Sequence, residues 1–210
     1  KVFMIGSYMS QPLKRIAVTG MGVVSPLGND IPTFWNALCS GKDGISQITS
    51  CDLSDFVIQQ GGQVTNVELP PELHAKISKE DRSQAMVVSA VKQAIDQAGL
   101  ECGTSSSGGP PVSQSKIAVV LSTNFAAAGT FDKDLGLTTP WTKGDMGFQT
   151  AADLVADVWN LSGPRMTLSL SCSSGAAAIG YGADLIRSGR ADFVIAGGYD
   201  VISRFAWAGL

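Results

Sequence analysis

The sequence has little of what a metal site or a nucleic-acid-binding surface requires. Its 210 residues include one histidine, His74, and four cysteines that form no C-x-x-C pair. A tetrahedral zinc site needs closely spaced cysteine or histidine ligands, so the sequence excludes one. Charged residues make up 16% of the chain, the formal net charge is −3, and no cluster of lysine and arginine occurs. Binding of nucleic acid or of an anionic membrane surface through bulk charge is therefore not expected.

Long hydrophobic runs are also absent. No apolar stretch approaches the roughly 20 residues that a membrane-spanning helix needs, and residues 2–5 are too short for the core of a signal peptide. We therefore expect a cytoplasmic protein whose cysteines are reduced thiols. We expect residues 1–10 to be a tag or a disordered lead and residues 11–210 to form the folded domain.

Common site signatures are incomplete. Gly20 and Gly22 follow an apolar segment, as in the dinucleotide-binding pattern G-x-G-x-x-G, but Ser25 replaces the third glycine. The phosphate-binding pattern G-x-x-x-x-G-K-[ST] does not occur. A serine hydrolase would carry G-x-S-x-G at its strand-to-helix turn, where this sequence has Cys172. Neither nucleotide binding nor serine hydrolysis is favoured.

Apolar segments with strand character alternate with amphipathic segments of helical periodicity. Asp30 is the candidate N-cap of the first helix, and Gly99 is the candidate stop of the second. Such alternation favours an α/β fold with a largely parallel sheet covered by helices on both faces. The predicted strands are residues 15–19, 116–121, 166–171 and 192–198. The predicted helices are residues 31–39, 82–98 and 149–161 and a segment from Cys172 to Ser188.

Cys172 lies where a predicted strand runs into a helix. The N–H groups of a first helical turn carry about half a positive charge and favour thiolate over thiol. A thiolate in this position can take an acyl group and hand it on, and its own N–H can face the developing oxyanion. The alternative is a packing role, since free cysteines are among the most buried residues. We assign that structural role to the other three cysteines, Cys39, Cys51 and Cys102.

The helix after Cys172 is built mostly from glycine and alanine. Gly175, Gly180 and Gly182 lie within its first three turns. Each glycine inside a helix costs about 1 kcal/mol relative to alanine, so a reason is needed. We expect another helix or a substrate chain to approach closely, and tight helix packing alone is the alternative.

Several motifs together resemble one family. They are RIAVTGMGVVSPLG at 15–28, FWNALCSG at 34–41, DRSQA at 81–85, SCSSGA at 171–176 and LIRSGRADFVIAGG at 185–198. In this order they resemble the N-terminal half of the β-ketoacyl-[acyl carrier protein] synthases, the elongating condensing enzymes of the thiolase-like superfamily. The resemblance implies an αβαβα layered fold, of which this chain supplies an N-terminal half with a mixed, mostly parallel sheet flanked by helices.

The resemblance also implies a reaction. Cys172 would accept an acyl group from the phosphopantetheine of acyl carrier protein, and a carbanion from a malonyl thioester would then attack it. No metal or further cofactor is implied. Phe125 matches the floor of the family's acyl pocket, where it would shorten the pocket, and a simple core role is the alternative.

Part of the family's machinery has no match in this sequence. The family uses two histidines and a lysine from a second half, and His74 lies in no matching motif, so we interpret it as a surface residue. We therefore expect a missing C-terminal half, which would also supply a fifth strand, and no condensing activity from this chain alone.

We expect a homodimer paired through residues 167–171, which carry no charge. The alternative function is a non-catalytic partner subunit or scaffold that binds acyl carrier protein.

Overall fold

A computed structural model describes residues 14–69, 71–77, 82–100, 113–126 and 147–209. Within these ranges no helix is long and apolar enough to cross a membrane. The elements in chain order are α1 (Ile31–Cys39), β1 (Ser46–Gln47), β2 (Gln60–Gly61), a 3-10 helix (Pro71–Lys76), α2 (Arg82–Ala98), a 3-10 helix (Gln114–Lys116), β3 (Ile117–Ser122), α3 (Thr150–Val158), β4 (Arg165–Leu168), a 3-10 helix (Ser171–Ser173), α4 (Ser174–Arg187), β5 (Phe193–Gly198) and α5 (Arg204–Gly209). The predicted lead at residues 1–10 lies outside the described residues.

A parallel sheet in the order β4-β3-β5 forms the centre of the fold. Val119 in β3 is paired with Arg165 of β4 on one side and with Ile195 of β5 on the other. All six residues of β3 are buried, because helices cover both faces of this strand. The α/β class predicted from the alternating pattern is therefore confirmed.

The two faces of β3 contribute to different clusters of the core. Its odd-numbered residues, such as Val119, pack with the apolar stripes of α2 and α3. Its even-numbered residues, such as Val120, pack with Ala178 and Leu185 of α4. This division follows from the twofold alternation of side chains along a strand. Ser122, at the carboxyl end of β3, is also buried.

Helix ends follow the predicted signals. Asp30 caps α1, since its Oδ1 accepts from the Thr33 N–H at 2.7 Å and its Oδ2 from the Thr33 hydroxyl at 2.8 Å. These bonds, the backbone bond most of all, hold the pKa of Asp30 below its ordinary value of 3.8. Gly99 follows α2 with a φ of +59°, a left-handed conformation that glycine adopts readily.

The strand predicted at residues 15–19 is wrong. The structure assigns no strand there, and Val18 is 76% exposed. No described strand lies alongside this segment, so its backbone has no ladder to join. Side chains of α2 hold the following residues instead: Gln97 Oε1 accepts from the Met21 N–H at 2.7 Å, and Gln93 Oε1 accepts from the Val23 N–H at 3.2 Å.

Gly20 and Gly22 let this segment lie directly on α2. A Cβ atom at Gly20 would lie 1.9 Å from the Ala94 carbonyl oxygen, and one at Gly22 would lie 1.8 Å from that of Ala90. Such distances are far inside van der Waals contact, so only glycine fits. The pair therefore serves helix packing, in agreement with the incomplete nucleotide-binding pattern.

The sequence predicts that the glycines of α4 permit a close approach. Among the described residues, one of the three glycines does so. A Cβ atom at Gly182 would lie 2.9 Å from Val194 Cγ1 of β5, so this glycine lets the helix settle on the sheet. A Cβ atom at Gly175 or Gly180 would meet none of the described atoms within 4 Å. Tight packing on the sheet thus explains Gly182 but leaves the other two unexplained.

Candidate active site

The turn between β4 and α4 carries Cys172. The strand predicted to reach residue 171 ends at Leu168, and Ser171 has a left-handed backbone with a φ of +54°. The 3-10 turn at Ser171–Ser173 then leads directly into α4, and Cys172 lies exposed ahead of its first turn. A non-glycine residue in this conformation stores strain on the order of 1–3 kcal/mol, which is characteristic of functional turns.

Two serines after Cys172 hold the turn in shape. The Ser174 side chain is 4% exposed, and its Oγ accepts from the Leu170 N–H at 2.7 Å. The same hydroxyl donates toward the Ser171 carbonyl at 2.7 Å, and the Ser173 hydroxyl donates to the Leu170 carbonyl at 2.9 Å. Each serine thus bonds backbone groups on the N-terminal side of Cys172, which fixes the position of the intervening thiol.

The loop after β3 lies against this turn. The Thr123 N–H donates to the Leu168 carbonyl at 3.1 Å, and the Asn124 side-chain oxygen accepts from the Ser174 hydroxyl at 3.3 Å. Asp200, two residues beyond β5, accepts from the Thr123 hydroxyl at 2.7 Å. The carboxyl ends of three parallel strands therefore meet around Cys172, as they do at the ligand sites of open α/β sheets.

A cleft of about 460 Å³ opens at this meeting point. A Cβ atom at Gly198 would lie 2.6 Å from Ser122 Oγ, so glycine is needed where β5 passes the end of β3. Within the described part of the chain, no three histidine, cysteine or acidic side chains group as a metal site would require. The lining residues are Ser122, Thr123, Asn124, Ser171, Cys172, Ser174, Gly175, Gly198, Tyr199 and Asp200.

The family of the chain follows from its match over almost the whole length. The family model described as "Beta-ketoacyl synthase, N-terminal domain" matches residues 13–210. The chain belongs to the β-ketoacyl synthase family. The resemblance stated from the motifs is therefore confirmed.

The chain is similar to a 3-oxoacyl-[acyl-carrier-protein] synthase and to a putative polyketide beta-ketoacyl synthase. It is 30% identical over 199 residues to the 3-oxoacyl-[acyl-carrier-protein] synthase 2 of Coxiella burnetii, covering 90% of this chain and 46% of the relative. It is also 30% identical over 207 residues to a putative polyketide beta-ketoacyl synthase 1 of Streptomyces cyaneus, covering 89% of this chain and 46% of the relative. The chain thus spans about half the length of these relatives.

A solved structure supports the thiolase-like fold. The ishigamide ketosynthase/chain length factor superposes with a TM-score of 0.80 at 24% identity, covering 93% of this chain and 50% of the other. At this identity the likeness establishes the fold alone.

The two predicted site residues occupy different places in this ketosynthase domain. Cys172 lines the cleft, whereas Phe125 is half-buried and is not among the described lining residues. The backbone N–H of Phe125 donates at 3.1 Å to Oδ1 of Asp200, which lines the cleft. His74 is exposed in the 3-10 helix at Pro71–Lys76, and its Nε2 lies 3.0 Å from the Leu69 carbonyl oxygen.

The other cysteines lie outside the cleft or outside the described residues. Cys39 ends α1 as predicted but is exposed, so it does not pack in the core, and Cys51 is partly buried. Cys102 lies outside the described residues.

Sequence reasoning missed Asn124, Ser174 and Asp200. Asn124 and Asp200 follow parallel strands directly, and a polar residue at the carboxyl end of such a strand is a usable signal for a site. Ser174 gave no comparable signal, because small polar residues are common at helix starts.

Proposed function

We propose that Cys172 accepts an acyl group from the phosphopantetheine of an acyl carrier protein. The observation that carries this proposal is an exposed cysteine, in a member of the ketosynthase family, on a cleft at the N-terminal end of α4. The cleft beside the thiol leaves room for a thioester. The name of the Coxiella burnetii relative includes acyl-carrier-protein, which supports this class of donor.

The acyl transfer exchanges the phosphopantetheine thioester for a thioester on Cys172. The Cys172 thiolate attacks the thioester carbonyl, and the tetrahedral intermediate places negative charge on oxygen, toward the N–H of Cys172. Collapse of the intermediate expels the phosphopantetheine thiolate, which takes up a proton, and leaves an acyl-Cys172 thioester. In the condensation step a malonyl thioester loses CO₂, its carbanion attacks this carbonyl, and the Cys172 thiolate departs.

The second step requires groups that lie outside this domain. We propose that residues 11–210 work with a C-terminal half that supplies the two histidines of the family, and that this chain alone acylates without condensing. We also propose a homodimer in which β4 pairs across the twofold. In the described sheet β4 pairs with β3 only, so its other edge has no strand beside it.

Acylation of Cys172 tests the proposal directly. The protein is incubated with an acyl-acyl carrier protein, and intact mass spectrometry follows the added mass. The wild type and Cys39→Ala should gain one acyl group, whereas Cys172→Ala should gain none. Cys39→Ala is the matched control because Cys39 is also exposed.

Two outcomes would overturn the proposal. Equal labelling of Cys172→Ala and wild type would show reaction elsewhere on the chain. No labelling of the wild type, together with stable binding of the carrier protein, would instead favour the non-catalytic partner.

A further inference from the structure

The carboxylate of Asp200 joins the loop after β3 to the segment after β5. Its Oδ1 accepts three hydrogen bonds, from the Thr123 hydroxyl at 2.7 Å, the Asn124 N–H at 3.0 Å and the Phe125 N–H at 3.1 Å. Its Oδ2 accepts a fourth from the Asn124 side-chain amide at 3.2 Å. Hydrogen bonds to a charged acceptor are about twice as strong as neutral ones, so four of them hold this loop firmly.

Asp200 also determines which way the Asn124 amide points. A carboxylate only accepts hydrogen bonds, so the NH₂ group of Asn124 must face Asp200. The Asn124 oxygen then faces Ser174, whose hydroxyl lies 3.3 Å away. Through this amide, the charge at residue 200 decides whether Ser174 meets an acceptor or a donor.

Ser174 passes this arrangement on to the turn that carries the thiol. Its hydroxyl oxygen accepts from the Leu170 N–H. Its single hydrogen has two acceptors within reach, the Ser171 carbonyl oxygen at 2.7 Å and the Asn124 side-chain oxygen at 3.3 Å. Leu170 and Ser171 immediately precede Cys172. A donor in place of the Asn124 oxygen would make Ser174 accept from both Leu170 and Asn124, and its hydrogen would then go to the Ser171 carbonyl alone. The orientation of the Asn124 amide therefore changes the hydrogen bonds made to the two residues before Cys172.

Backbone strain is concentrated at the two ends of this network. Among the described residues, three non-glycine residues have a positive φ, and two of them are Ala126 at +48° and Ser171 at +54°. Ala126 follows the residues that Asp200 bonds, and its N–H donates to the Thr123 hydroxyl at 2.9 Å. Strained residues persist only where the surroundings fix them, and here the same hydrogen bonds do so.

We infer that Asp200 is a positioning residue, which sets the geometry of Cys172 through Asn124 and Ser174. The inference rests on the proposed function, in which Cys172 accepts an acyl group. Asp200 does not act as an acid or a base in this scheme. It holds the loop and the turn in register, so its loss should lower the rate of acylation at saturating donor more than the affinity for the donor.

The key variants are Asp200→Asn and the exchange Asp200→Asn with Asn124→Asp. In the single variant two amide NH₂ groups face each other unless one turns, and turning the Asn124 amide presents a donor to Ser174. The exchange restores a donor on residue 200 facing an acceptor on residue 124, whose second oxygen again accepts from Ser174. Asp184→Asn is the matched control, since Asp184 is an exposed carboxylate in α4 that pairs with Arg187.

Single-turnover acylation by acyl-acyl carrier protein gives the first readout. Asp200→Asn should lower the saturating rate by about 10- to 100-fold, as small misplacements of a reacting group do. Its half-saturating donor concentration should stay within about twofold, and the exchange should recover most of the rate. Asp184→Asn should match the wild type. A wild-type rate in Asp200→Asn, or no recovery in the exchange, would overturn the inference.

Alkylation by iodoacetamide gives a second readout that does not depend on the proposed function. Mass mapping compares the rate at Cys172 with that at Cys39 in the same molecule, and Asp200→Asn should change this ratio. If the wild type is never acylated, the proposed function fails, and an unchanged ratio then overturns the Asp200 inference as well. If both the single variant and the exchange lose their cooperative thermal unfolding, Asp200 is a folding residue and the inference is overturned.

Discussion

Two glycines in α4 give a paired test of how this helix packs on the sheet. Gly180→Ala and Gly182→Ala each add one methyl group inside the same helix, and each should gain about 1 kcal/mol of helix propensity. At Gly180 the new methyl group meets none of the described atoms within 4 Å, so the gain should appear in full. At Gly182 it would lie 2.9 Å from Val194 Cγ1 and 3.5 Å from Ala196 Cβ.

The difference between the two variants isolates the clash, because the propensity gain is common to both. Overpacking of this kind costs about 1–3 kcal/mol, and the β-branched Val194 has little rotamer freedom with which to yield. We therefore expect Gly180→Ala to stabilise the protein by about 1 kcal/mol. Gly182→Ala should be less stable than Gly180→Ala by about 1–3 kcal/mol, or about 2–12 °C lower in Tm.

Urea denaturation followed by circular dichroism measures both values, with the slope of the transition as a check on two-state unfolding. The double variant Gly182→Ala with Val194→Ala should show a coupling energy of about 1 kcal/mol or more, because removal of the valine methyl groups removes the clash. Equal stabilisation by both alanines would refute the close contact between α4 and β5. A destabilised Gly180→Ala would show that atoms outside the described residues cover that face of the helix.

Two further predictions concern the cap of α1 and the acyl pocket. Asp30→Ala should lower Tm near neutral pH, and this decrease in Tm should shrink as the pH falls below 3.8. The pKa of Asp30 is lower in the folded protein than in the unfolded chain, so its cap stabilises the fold above the unfolded-state pKa. That stabilisation is lost as the pH falls through the folded-state pKa. Asp30→Asn should keep much of the cap but lose this pH dependence, and an identical pH profile for the two variants and the wild type would contradict the assignment. Phe125→Ala should shift the acylation preference toward longer acyl groups, by about fourfold for each additional methylene that becomes buried, as measured with a series of acyl-carrier-protein donors. An unchanged preference would place Phe125 in the core alone.

The elements with strong local signals were predictable. The helix predicted at residues 82–98 is observed at Arg82–Ala98, because Val87, Val91 and Ile95 form one apolar stripe and Gly99 supplies the left-handed stop. The strand predicted at residues 116–121 is observed at Ile117–Ser122, since a short run of β-branched residues needs burial on both faces.

The error at residues 15–19 has a definite physical cause. The segment is apolar, which indicates burial, but a strand exists only where a neighbour completes its hydrogen bonds. The composition of the segment indicates burial, but it does not indicate whether a neighbouring strand is available. The substitute partners, Gln93 and Gln97, lie about 70 residues away along the chain and carry no signal that links them to this segment.

The candidate site was predictable at its nucleophile and not at its support. Cys172 stood out because a strand, a turn and a helix of small residues follow one another in the sequence. Asp200 and Asn124 act on Cys172 only because the parallel topology brings three strand ends together, and that arrangement depends on strand order. Ser171 gave no sign of its left-handed backbone, which is imposed by the hydrogen bonds around it.

The exposure of two thiols has a consequence for any sample of this protein. Cys39 and Cys172 are both accessible to solvent, on α1 and at the cleft. Accessible thiols can be oxidised or joined to another molecule by a disulfide bond. Stored protein will therefore accumulate disulfide-linked dimers and oxidised Cys172 unless a reductant is present. In size-exclusion chromatography, such a covalent dimer would elute at the same volume as a dimer formed by strand pairing through β4. The Cys39→Ala variant removes one route to this artefact, and it is the form in which self-association is best measured.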